Sequence, residues 1–184
     1  MNENDLRVQR TRRLLQEALI ELANREEYSQ ITIRDITKAA QVGYKTFFRH
    51  YDSKEALLKA IVEAFIAKFQ QAAQPSDNPN AVKKNTLLAL QLAKENSNMY
   101  RAILNSPSAA QLLQPAMVMA YQDGQQLLGH STNANTLVGN HFANSMLGFL
   151  KWWLDNEDVY SAEEMVHYID QLLIQPIEQF RLSQ

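Results

Sequence analysis

Residues 41–57 read QVGYKTFFRHYDSKEAL. Within eight positions after Gly43 come four aromatics (Tyr44, Phe47, Phe48 and Tyr51), His50 and the cations Lys45 and Arg49. Such a run is either core that carries charge or a surface made to touch something. At 100° per residue, Tyr44, Phe47, Phe48 and Tyr51 fall on one side of a helix, and Lys45, Thr46, Arg49 and His50 on the other. The polar side is a set of donors that phosphate oxygens and base edges accept from. A helix of two turns, Tyr44 to Tyr51, is not stable alone, so its aromatic side must pack on longer neighbours.

Upstream, Gln41-Val42-Gly43 is a tight break after a short helix. Thr32-Ile33-Arg34-Asp35 opens that helix as an N-cap with an acid at its third position, and Ile36 to Ala40 complete it. Before it, past the polar break REEYSQ, an amphipathic helix runs from about Leu6 to Arg25, with Leu15, Ala18, Leu19 and Leu22 on one face. Two short helices joined by a glycine-containing turn and preceded by a longer helix form the pattern of a helix-turn-helix. Arg10, Arg12 and Arg13 on the first helix are either an arm that touches phosphates or a solvated face.

Downstream, Asp52 and Glu55 form a second capping pattern, starting a helix whose Leu58, Ile61, Phe65 and Phe69 keep an apolar stripe to about Gln71. Lys54 and the free N–H groups of that helix start add a second anion-facing feature. QPSDNPN, residues 74–80, is the clearest linker. Helices are expected over 81–105, 108–114 and 115–129, with Pro107 and Pro115 as punctuation. Residues 136–154 form the most apolar helix: Val138, Phe142, Ser145, Phe149 and Trp152 make one row, and Ala143, Leu147, Leu150 and Leu154 another. A helix apolar on most of its circumference is buried on two sides, by its own core and by another subunit. Ala143, Ser145 and Gly148 would permit close helix approach. Ser161-Ala162-Glu163-Glu164 is a capping box for a last helix, with Val166, Ile169, Leu173, Ile177 and Phe180 in a 4-3-4-3 row and Pro176 as a kink. These two helices suit half of an intersubunit four-helix bundle, so Val138, Phe142, Ser145, Phe149, Trp152, Ile169, Leu173, Ile177 and Phe180 are the expected dimer contacts.

Composition narrows the function classes. The 184 residues contain no cysteine, hence no disulfide framework, thiolate metal cage or cysteine nucleophile, and a cytoplasmic setting is expected. No stretch approaches the roughly 18 uninterrupted apolar residues of a membrane span. Net charge is −2, yet residues 1–60 carry 11 Lys and Arg against 9 Asp and Glu, and residues 61–184 carry 7 against 11. The first third is therefore mildly basic and the rest acidic, which suggests different partners for the two parts. There is no glycine-rich phosphate loop, nucleophile elbow or His-Glu-x-x-His helix, so neither an enzyme nor a cofactor is expected. His130, His141 and His167 match no metal-ligand spacing and read as packed or surface histidines.

Residues 32–58, TIRDITKAAQVGYKTFFRHYDSKEALL, resemble the N-terminal DNA-binding module of the TetR family of transcriptional regulators. The resemblance rests on Thr32, Arg34, Asp35, Ile36, Ala40, Val42, Thr46, Phe47, His50, Ser53, Lys54, Glu55 and Leu57 at fixed spacing. GFLKWWLDN followed by SAEEM also resembles one C-terminal subgroup. What the family implies is an all-α protein: a three-helix helix-turn-helix head over residues 1–58, its fourth helix continuing to about 71, and a helical dimerisation and effector domain over 59–184.

By position, the resemblance places Thr32 and Arg34 near DNA, Tyr44, Lys45 and Thr46 in the major groove, and Phe48, His50 and Lys54 against phosphates. Phe47 and Tyr51 would then be core. Three departures stand out. The usual turn glycine is Gln41 here, and a left-handed residue at that position would cost about 1 kcal/mol. Phe48 replaces a tyrosine and loses a hydroxyl. Tyr44 brings a ring and a phenol to where sequence is read, suited to a thymine methyl or a base edge. The helical wheel buries Tyr44 and Phe48, whereas the resemblance turns them outward.

The expected function is a homodimeric transcriptional regulator, a repressor released from a pseudo-palindromic double-stranded operator by a small-molecule effector. Met99, Tyr100, Met117, Tyr121, Phe142 and Met146 are candidates for the effector pocket, since flexible methionines and amphipathic tyrosines suit adaptable apolar binding, although ordinary core explains each of them as well. The alternative is a helical regulator whose C-terminal domain recruits a protein.

Overall fold

The computed structural model describes residues 6–76, 78–128 and 134–183. Every regular element among them is helical: α1 Leu6–Ala23, α2 Ile33–Ala39, α3 Tyr44–Phe47, α4 Lys54–Ala72, α5 Pro79–Glu95, α6 Ser97–Leu104, α7 Ala109–Leu128, α8 Asn135–Leu154, α9 Ala162–Ile169, a π turn Asp170–Ile174, and α10 Gln175–Leu182. The chain forms two compact units, one of Met1–Phe65 with Asn98–Ala109 and the other of Ile66–Ser97 with Ala110–Gln184.

The first unit is built on the apolar face of α1. Leu15 and Leu19 are fully buried, as are Ile36 of α2, Phe47 of α3 and Leu57 and Leu58 of α4. Thr32 caps α2 as expected, its hydroxyl accepting from the Asp35 N–H while Asp35 bonds back to the Thr32 N–H at 2.9 Å. The α2–α3 turn needs its left-handed residue at Gln41, which has φ 55°. Gly43 instead sits in extended backbone as the N-cap of α3, with φ −69°. Regular α3 ends at Phe47 rather than Tyr51; tighter bonds, Arg49 N to Thr46 O and His50 N to Phe47 O, carry the chain on. The cap of α4 is Ser53, whose hydroxyl accepts from Ala56 N at 3.1 Å, one residue beyond the expected Asp52.

In the second unit Asn78 caps α5 and Pro79 opens it. The helix expected over 81–105 is two, broken at Asn96 with φ −135° and ψ 39°. The two expected around Pro115 are one, because Pro115 and Gln111, whose carbonyl loses its helical partner, are both exposed and water can satisfy it. Close approach of α7 and α8 occurs at Gly124 and Gly139, and of the small residues expected Ala143 is buried while Gly148 is open. A Cβ on Gly124 would lie 2.6 Å from Phe142, and one on Gly139 would lie 2.7 Å from the Tyr121 ring, whereas Gly148 faces nothing within 4 Å. The Trp153 indole donates to Tyr160 O at 2.8 Å, pinning the turn after α8.

Ser161 and Glu164 form the expected capping box of α9. The kink expected at Pro176 is taken up by the π turn just before it, where the Gln175 N–H reaches Asp170 O. The extra residue in that turn gives the proline ring room that a strict α-helix denies it.

The expected dimer row divides: five of its nine residues lie in the chain's own core, and Trp152, Phe180, Ser145 and Phe149 keep exposed surface. Ile169, Leu173 and Ile177 are at most 5% exposed, and Val138 and Phe142 at most 8%; α5 and α8 of the same chain pack against α9, and Phe142 lies against Gly124 of α7. On α8 and the C-terminal helices the large apolar groups left facing outward are Leu137, Trp152, Tyr168, Leu172, Phe180 and Leu182, with Ser145 and Phe149 partly exposed.

Candidate nucleic-acid interface

Phe47 anchors the short α3, and its ring contacts those of Phe48 at 5.3 Å and Tyr51 at 6.0 Å. Tyr51 is buried beneath, its hydroxyl accepting from Gln16 of α1 at 3.1 Å. Above this base the other two rings emerge: Tyr44 is 48% exposed and Phe48 45%. They meet edge to face at 5.3 Å, and the Arg34 guanidinium lies 6.0 Å from the Tyr44 centroid. The helical wheel fails for these two because α3 is a single turn, and first-turn residues project from a helix end.

Around the rings lie donors. Lys45 and Arg49 are exposed and Thr46 is partly exposed. The half-buried His50 has an Nδ1 with no partner, and burial first, then the charges of Arg12 and Arg49, lower its pKa below the ordinary histidine value. Burial and the two nearby guanidinium charges thus both favour its uncharged form. Thr32 is exposed but its hydroxyl is committed to the cap, and its bonds hold the Asp35 carboxyl below the usual carboxylate range.

Lys54, which the resemblance places against phosphate, also makes bonds within the head. Its ammonium donates to Tyr28 O at 2.8 Å and Ile31 O at 2.9 Å, and it lies 4.1 Å from the Tyr28 ring centroid. Two of its three donors thus tie the start of α4 to the α1–α2 connection. Burial lowers its pKa, and Glu55 partly restores it. Burial, helped by Glu55, pushes the Tyr28 hydroxyl up to about 12. Sequence reasoning passes over Tyr28 and Gln16; the lone aromatic inside the polar REEYSQ is the only signal. Of the basic α1 residues, Arg13 pairs with Glu17 at 3.5 Å on the surface and Arg10 is exposed.

The candidate effector residues divide between the units. In the first, Met99 is fully buried and Tyr100 stacks on Phe65 at 5.1 Å. In the second, Phe142 is buried against Gly124, Tyr121 packs on Gly139 and accepts from Gln125 at 3.0 Å, and Met117 and Met146 are partly exposed. Among the described residues no cluster of His, Asp or Glu could hold a metal ion; His141 and His167 are exposed, and His130 lies outside those residues. No described helix is long and apolar enough to cross a membrane.

Residues 15–61 match the family model for bacterial regulatory proteins of the tetR family. Over 174 residues the chain is 27% identical to YxbF, an uncharacterized HTH-type transcriptional regulator of Bacillus subtilis (strain 168). The match covers 92% of this chain and only 46% of that protein, so the chain spans about half the length of its curated relative. Among solved structures it is similar to DhaS, a dihydroxyacetone kinase operon activator, with TM-score 0.67 and 19% identity over 92% of this chain and 97% of that one. It is also similar to NalD of Pseudomonas aeruginosa, the secondary repressor of the MexAB-OprM multidrug efflux pump, with TM-score 0.67 and 15% identity over 93% and 96%. The head over residues 15–61 thus matches the model of the tetR family of bacterial regulatory proteins, and the chain shares its all-α fold with these solved structures along nearly its whole length.

Proposed function

We propose that the protein is a cytoplasmic homodimeric repressor that sits on a pseudo-palindromic operator and leaves it when a small molecule binds its second unit. The observation that carries the DNA-binding part is the face of α2 and α3, where Tyr44 and Phe48 stand exposed among Arg34, Lys45, Thr46 and Arg49. Two copies related by a two-fold axis would set these faces in successive major grooves, roughly 34–36 Å apart. Leu137 and Trp152 of α8, with Tyr168, Leu172 and Phe180 of the C-terminal helices, are the apolar surface offered for pairing.

Effector release requires a ligand with different affinities for the DNA-bound and free arrangements; tight but indifferent binding shifts nothing. Met117, Tyr121 and Met146, partly exposed on α7 and α8, are the side chains best placed to adapt to such a ligand. DhaS is an activator and NalD a repressor; repression here would act by occupying a site that overlaps a promoter. The test is selection of sites from a random double-stranded pool, then transcription from a promoter overlapping the selected site. An inverted repeat that silences the promoter is expected; no enriched site, or enhanced transcription, overturns the reading.

A further inference from the structure

We propose that Met119 is an oxidation site whose conversion to the sulfoxide tightens the tie between α7 and the end of α4, and so adjusts the grip on the operator. The effect on the operator rests on the DNA-binding reading above; the modification and the tie do not.

The chain has no cysteine, so thioethers are the groups that a two-electron oxidant such as hydrogen peroxide reaches first. Exposure then chooses among them. Met99 and Met165 are buried, at 0% and 2%, whereas Met117 and Met119 of α7 and Met146 of α8 are partly exposed. Met119 has a hydrogen-bond donor at its sulfur: Gln70 Nε2 of α4 donates to Sδ at 3.6 Å. The two residues stand 49 positions apart in sequence and both belong to the second unit. A thioether is a weak acceptor, so this bond contributes little as it stands.

Oxidation changes that. A sulfur lone pair bonds one peroxide oxygen, the O–O bond breaks, the proton of the transferred hydroxyl passes to the departing hydroxide, and water leaves. Sulfur is oxidised by two electrons and peroxide is reduced by two. The product sets a polar oxygen, an acceptor of ordinary strength, beside the Gln70 amide. The segment it acts on is lightly held. No residue of α4 beyond Val62 is buried, and Lys68 of the same segment reaches Glu95 of α5 at 2.9 Å between two exposed side chains, a kind of pair that contributes little. One hydrogen bond gained there is a large share of what fixes the end of α4. That helix begins in the helix-turn-helix unit, so its tail is continuous with the part that would grip DNA.

The test treats the full chain with graded hydrogen peroxide, locates added oxygen by peptide mass spectrometry, and follows backbone hydrogen exchange over residues 66–72. Met119 should gain oxygen ahead of Met99 and Met165, and exchange over 66–72 should slow by about fivefold, the factor carried by one ordinary hydrogen bond. Methionine sulfoxide reductases should reverse both changes. Gln70→Leu should oxidise at Met119 as the wild type does but show no change in exchange, and Met119→Leu should show none either. Affinity for a site selected from a random double-stranded pool should shift by about fivefold on oxidation of the wild type and hold in both variants. Sulfoxide at Met117 or Met146 with Met119 spared overturns the site. So does a Met119 sulfoxide that leaves exchange over 66–72 unchanged, or slows it equally in Gln70→Leu. A selected site bound equally before and after oxidation overturns the regulatory role. Slowed exchange with no site enriched from the pool overturns the DNA-binding reading and supports the tie.

Discussion

Replacing Lys54 by methionine keeps the apolar stem and removes the ammonium, which separates an internal strut from a phosphate contact. The ammonium donates to Tyr28 O at 2.8 Å and Ile31 O at 2.9 Å, over a ring at 4.1 Å. A hydrogen bond from a charged group contributes about 1.5–3 kcal/mol net, and a cation over a ring at a part-exposed site about 0.5–1 kcal/mol. Desolvation works against these, as the lowered pKa of Lys54 records. The expected net loss is therefore about 2–3 kcal/mol rather than the full sum, and at about 2–4 °C per kcal/mol it lowers Tm by roughly 5–10 °C. Thermal unfolding of the free protein by circular dichroism measures this. DNA affinity titrated against salt measures the other role, because removing a single phosphate-neutralising charge should reduce the slope of log K against log salt by about 0.9. A Tm within about 2 °C of wild type together with that reduced slope would refute the strut and return Lys54 to the DNA.

Four further outcomes are expected. Gln41→Gly relieves a left-handed non-glycine residue at φ 55° and should stabilise the head by about 0.5–1 kcal/mol in urea unfolding; an unchanged midpoint would show that the turn is not strained. Gly139→Ala puts a methyl 2.7 Å from the Tyr121 ring and should destabilise by about 1–3 kcal/mol, while Gly148→Ala, with nothing within 4 Å, should be neutral or stabilising by up to about 1 kcal/mol; equal effects in thermal melts contradict the glycine crossing. Burial raises the Asp123 pKa, against a smaller opposing effect of its bond with Ser76. The unfolded chain then releases that proton first, so stability falls as pH rises through the folded pKa, and Asp123→Asn should be more stable than wild type at pH 7 with the difference vanishing toward pH 4. Trp152→Glu with Tyr168→Glu charges two exposed rings and should yield folded monomers by sedimentation; an intact dimer would move the interface elsewhere.

The head is readable because its signals are local. A capping pair such as Thr32 and Asp35 lies within one turn, and the left-handed position at Gln41 is the one where the resemblance implies a turn glycine. Surface chemistry is readable for the same reason: Lys45 and Arg49 have no apolar alternative to solvent. What escapes are interactions joining distant residues. Lys54 meets Tyr28 and Ile31 across more than twenty positions, and no periodicity records such a pairing. Tyr44 and Phe48 escape the wheel because a one-turn helix has ends and almost no sides.

Proline misleads in the body for a related reason. Pro115 reads as a boundary, yet an exposed proline removes one hydrogen bond that water can replace, so α7 continues through it. Pro176 acts where the helix is buried on one face, and there the backbone yields by a π turn that keeps Ile169, Leu173 and Ile177 inward. The same row shows what periodicity leaves unassigned: Ile169, Leu173 and Ile177 are covered by the chain itself, while Trp152 and Phe180 are not. An apolar stripe states only that something covers it. Whether the cover is the same chain or a second copy depends on how many helices are at hand, and α5, joined to the rest by a proline-rich linker, is not visibly one of them. Once α5 and α8 take the Ile169 face of α9, the Trp152, Tyr168, Leu172 and Phe180 side is what they leave exposed.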